Sequence, residues 1–145
     1  MKDVDTKKIN FLISEVKKYK EIPQDYNGIN ELIEIRKNIS TVVFSLSISL
    51  GKIRRNLKDS ELTLENKKVR EKLAEINKGT KAITYNVQIS VKFEQETKTV
   101  QNLESDFYEV EYMIRYVKEV LSELNQRISI LKSELKQDTF FNSQA

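Results

Sequence analysis
A chain of 145 residues, 39% of them hydrophobic, has the size of one ordinary domain and enough apolar content for a modest core. It contains no cysteine and no histidine, which removes disulfides, thiolate nucleophiles, and the commonest general base and metal ligand. No run approaches the roughly 18 apolar residues of a membrane span, and Met1-Lys2-Asp3-Val4-Asp5 has no apolar signal core behind it. The expectation is a single elongated helical domain over residues 1–145, in the cytoplasm, non-catalytic and without cofactor or metal.

Near the N-terminus, Asp5 or Thr6 can cap a helix whose apolar residues Ile9, Leu12, Ile13, Val16 and Tyr19 fall at helical spacing; Pro23 ends it. After the turn-rich Gln24-Asp25-Tyr26-Asn27-Gly28, a second stripe runs Leu32, Ile35, Ile39, Val42, Leu46, Leu50, Ile53, Leu57 in steps of three and four. Inside it Phe44, Leu46, Ile48 and Leu50 alternate with serines, as in a half-buried strand, but the helical spacing continues on both sides. Gly51 is the expected kink or break.

The polar Lys58-Asp59-Ser60-Glu61 reads as a corner, after which Leu62, Val69, Leu73 and Ile76 mark a shorter helix closed by Gly79, with Thr80 starting the next element. From residue 83 to 93, Ile83, Tyr85, Val87, Ile89, Val91 and Phe93 again alternate with polar residues. The fold expected is all-α, a helical hairpin or coiled coil with a long C-terminal heptad helix. The alternative is α+β, with a short hairpin formed from about 42–50 and 83–93.

The C-terminal third carries the longest pattern: Val100, Leu103, Phe107, Val110, Ile114, Val117, Leu121, Leu124, Ile128, Leu131 and Leu135, in alternating steps of three and four. A 3.5-residue repeat this long demands a partner helix. That partner is the 29–57 helix folded back, another copy of the chain, or both. Phe107 through Leu135 are thus the expected oligomerisation residues.

Charge is uneven. Gly51–Lys81 holds ten bases against five acids, whereas Glu94–Lys136 holds nine acids against six bases. The dense groups Lys52, Arg54, Arg55, Lys58 and Lys67, Lys68, Arg70, Lys72 are candidate phosphate contacts; the competing reading is a solubilising face. Tyr108, Tyr112 and Tyr116 recur every four residues away from the heptad seam, placed either to stack on nucleobases or to form a second packing ridge with Met113 and Val120.

The run Met113-Ile114-Arg115-Tyr116-Val117-Lys118-Glu119-Val120-Leu121-Ser122-Glu123-Leu124-Asn125-Gln126-Arg127, continuing to Lys132 and Phe140, resembles the end of the phage recombination mediators of the UvsY type. The matching positions are Glu119, Leu121, Arg127, Lys132 and Phe140. The family's acidic segment before this helix is replaced by Lys92-Phe93-Glu94-Gln95-Glu96-Thr97-Lys98, and its glycine after the last Phe is absent. The resemblance implies a helical oligomer that binds single-stranded DNA without sequence readout and partners a recombinase or a single-strand-binding protein. The heptads alone are sufficient for a structural or adaptor coiled coil, such as a phage assembly or scaffolding component, and a charged helical surface also suits a small protein inhibitor.

Overall fold
The structure, a computed structural model, describes residues 6–26 and 28–144, with side chains through Phe140. It is all-α: α1 (Thr6–Glu21), α2 (Ile29–Asn77), α3 (Ala82–Lys92) and α4 (Glu94–Gln144), with no strand among the described residues. Both segments that alternate apolar and polar residues are helical.

Their alternation has a helical explanation. Residues two apart on an α-helix point about 200° away from each other, and residues four apart share a face. An every-other-residue apolar pattern therefore splits into two stripes on opposite sides. On α3, Ile89 and Phe93 are buried and Tyr85 packs against them, while Ile83, Val87 and Val91 face outward. On α2, Leu46 is buried and Phe44 and Ile48 are exposed.

Two further expectations are corrected. Lys58-Asp59-Ser60-Glu61 is no corner, because α2 runs unbroken from Ile29 to Asn77 and Leu62–Ile76 are part of it. The tetrapeptide contains neither Gly nor Pro, so no residue in it forces the helix to break. Nor does the helix break at Gly51, which is exposed, with open space around it.

Gly79 does end α2. Its φ of +80° is the left-handed conformation glycine adopts without strain. The amide of Thr80 donates to the carbonyl of Glu75 (3.1 Å) and that of Gly79 to Ile76 (3.0 Å), the paired bonds of a Schellman cap. Thr80 does not cap α3: the N-cap is Lys81, without a side-chain bond, and the Thr80 hydroxyl donates to Glu75 instead. α3 and α4 meet at Phe93, whose amide still bonds Ile89 and whose carbonyl accepts from Thr97, so the helical ladder passes through the junction. Of the two cap candidates for α1, Asp5 lies outside the described residues, as does Asn27 of the following turn.

The chain forms two compact units. The middle unit is Leu50–Val110. In it α3 folds back on α2, with a core of Leu64, Ile89 and Phe93 flanked by Tyr85 and Val100. The start of α4 runs antiparallel to α2: Lys67 meets Glu96 at 3.4 Å, and the Arg54 guanidinium lies over the Phe107 ring at 5.2 Å.

The terminal unit joins the described parts of Lys2–Ser49 and Glu111–Ala145. Lys8 donates to Ser45 (2.6 Å) and Asn38 to Glu15 (3.4 Å), which fixes α1 and α2 as antiparallel. The later part of α4 closes the bundle, with Arg36 donating to Asn125 (3.3 Å) and Lys20 paired with Glu123 (3.7 Å). Its buried residues are Leu12, Glu15 and Tyr19 on α1, Leu32, Ile35, Ile39, Val43 and Leu46 on α2, and Ile114, Val117, Val120, Leu124 and Ile128 on α4.

Candidate interaction surfaces
The heptad seam of α4 is largely taken up inside the chain. Phe107 and Val110 are buried in the middle unit; Ile114, Val117, Leu124 and Ile128 are buried in the terminal unit, where α1 and α2 supply the opposing helices. Leu121 and Leu131 are half-buried and Leu135 is exposed. Val120, outside the seam, is buried because α4 has two neighbours there and so a wider apolar arc than a two-stranded coil needs.

The eight candidate phosphate contacts divide. Lys67 is held by Glu96, Lys68 is half-buried, the Lys72 ammonium lies 5.9 Å from the centre of the Tyr85 ring, and Arg54 covers Phe107. Lys52, Arg55, Lys58 and Arg70 are exposed, with no ion pair among the described residues. The first group thus retains three outward bases, whereas two of the four in the second, Lys67 and Lys72, meet partners on α4 and α3. Tyr108, Tyr112 and Tyr116 are all exposed, and Tyr108 meets Phe107 edge-on at 5.4 Å.

Arg127 has an internal task. Its guanidinium donates to the carbonyls of Pro23 and Tyr26 (3.0 Å to the latter), tying the α1–α2 turn to α4. A cleft beside it is lined by Tyr19, Asp25, Tyr26, Glu123 and Arg127. The Tyr19 phenol is held above its ordinary pKa by burial first and then by the Glu123 carboxylate, with Arg127 acting in the opposite direction. The Tyr26 phenol is also raised, because its hydroxyl donates to Glu31 at 2.6 Å. Among the described residues, no three acidic side chains converge to hold a metal, and no helix is long and apolar enough to cross a membrane.

What sequence patterning did not distinguish is the middle unit's outer surface. Leu62, Val69, Leu73 and Ile76 are all exposed, Leu73 at 55%. They lie on the side of α2 opposite the buried Leu64, which is about 200° of helix rotation from Leu62. On α3, Ile83 is 83% exposed, with Val87 and Val91 on the same outward face. Scattered exposed leucines are ordinary, but each of these ordered stripes on the outer faces of one small unit is an apolar strip of the kind that marks association. Comparison of the chain with protein-family models, curated proteins and solved structures finds no match.

Proposed function
We propose that this chain is a non-catalytic structural or adaptor protein whose middle unit assembles with other helices through its outward apolar stripes. The observation that carries this reading is the exposure of Leu62, Val69, Leu73 and Ile76 on one face of a helix whose other face is already buried. Sedimentation velocity across the micromolar range tests it, using the wild type, Leu73→Lys and Val87→Lys. A mass above the monomer that either substitution lowers supports the reading. A wild type that stays monomeric throughout overturns it. Both side chains are exposed, so neither lysine disturbs the monomer fold.

A second reading, single-stranded DNA binding as in the recombination mediators, is favoured by the outward Lys52, Arg55 and Lys58. Binding through these groups falls steeply with salt, at about 0.7 counterion released per phosphate contact. Replacing Arg55 and Lys58 with glutamine should then lower the log-log salt slope by about 1.4 in fluorescence anisotropy with a labelled oligonucleotide. No binding by the wild type near about 50 mM salt removes this reading.

A further inference from the structure
We infer that α2 pairs with α2 of a second copy of this chain as a parallel, in-register two-stranded coil over Leu62–Ile76. This rests on the assembly reading above and names its occupant and geometry. The face that holds Leu62, Val69, Leu73 and Ile76 also contains Asn66, and the five follow one another in steps of four, three, four and three. That is a heptad repeat with Leu62, Val69 and Ile76 at d and Asn66 and Leu73 at a. All five side chains are exposed, and α2 is already helical, so pairing carries no helix-nucleation cost.

Three features select a second copy. In a parallel in-register pair each a residue meets its own counterpart, so Asn66 meets Asn66 and the two amides can bond each other. Set against an apolar side chain, as in an antiparallel pair, a buried amide is left unsatisfied. Next, Glu65 and Arg70 flank the stripe at g and e, and g of one strand lies beside e of the following heptad on its partner. Glu65 of each copy therefore meets Arg70 of the other, twice by symmetry. Both are exposed, with no ion pair among the described residues. Lastly, the seam has ends: Arg55 and Asp59 occupy the preceding d and a positions, where like charges would face each other, and Gly79 terminates the helix beyond Ile76. The stripe is self-complementary over two heptads and is closed to further growth on both sides.

The absence of native cysteine makes the register directly readable. Leu73→Cys, mildly oxidised, should give a covalent dimer, since a residues meet across the axis within disulfide reach. Glu65→Arg should weaken dimerisation roughly five- to thirty-fold by setting arginine against Arg70 in two places, and adding Arg70→Glu should restore it. Helicity by circular dichroism should not change in any of these variants. If the wild type associates but Leu73→Cys forms no disulfide, or the charge swap brings no recovery, this pairing is overturned. Association abolished by Val87→Lys but not by Leu73→Lys also overturns it, while leaving the assembly reading intact. A wild type that is monomeric throughout overturns both.

Discussion
Glu15 is the side chain in α1 that least fits its surroundings. Only 1% exposed, it sits between Leu12 and Tyr19 on the buried face, bonded to Asn38 and to Lys18 at 3.0 Å. Lys18 is 64% exposed, so its attraction is screened by water and compensates poorly for the desolvated carboxylate. Glu15→Met, similar in volume and apolar, is expected to raise stability by about 1 kcal/mol or more, read from the midpoint of urea denaturation. An unchanged or lowered midpoint would show that the Asn38 bond outweighs the desolvation. The tyrosine phenols set a second expectation. A pKa raised in the folded state means that the native form favours the protonated phenol. That stability is fully present below the ordinary tyrosine pKa of about 10 and is lost as pH rises through the raised folded value. Thermal midpoints should be flat from about pH 7 to 9 and fall above about 10, and Tyr19→Phe with Tyr26→Phe should flatten that fall.

At the scale of the elements, α2 depends on its C-terminal cap for a clean stop. Gly79→Ala must place a Cβ in the left-handed region, with an expected loss of about 1 kcal/mol by thermal denaturation. This cap, the end of α1 before Pro23 and the long C-terminal helix were legible in sequence, because each rests on local chemistry: a positive φ, a missing amide, a sustained period. What was not legible was which of two apolar faces a helix buries. Ile83, Val87 and Val91 are as apolar as Tyr85, Ile89 and Phe93, and only the return of α3 onto Leu64 separates the sets. The corner expected at Lys58–Glu61 rests on four consecutive polar residues, which fall where the buried stripe of α2 nears its end at Leu64 and the outward one begins at Leu62. That change of face resembles a change of element. For the candidate site, the density of bases in α2 was visible. Their spending on Glu96, Tyr85 and Phe107 was not, because those partners lie far away in sequence.

At the scale of the whole molecule, the two units differ in how their contacts are distributed along the chain. The middle unit is one continuous stretch, Leu50–Val110, whereas the terminal unit is assembled from both sides of it. Arg36 reaches Asn125 across 89 residues, and Arg127 reaches Pro23 across 104. Truncation after Val110 should therefore strip Ile114, Val117, Val120, Leu124 and Ile128 from the α1–α2 pair while leaving every member of the Leu64 core in place. Limited proteolysis of that fragment should cut within residues 6–49 and spare 50–110; equal protection of both would contradict the division. The same discontinuity sets an order of events on the ribosome. The apolar faces of α1 and early α2 emerge first, but Ile128 is made 82 residues after Leu46. At about 5–20 residues per second, that leaves them uncovered for roughly 4–16 s of synthesis, and the middle unit, complete at Val110, has roughly 1–4 s before Ile128 is made in which to fold ahead of the terminal unit.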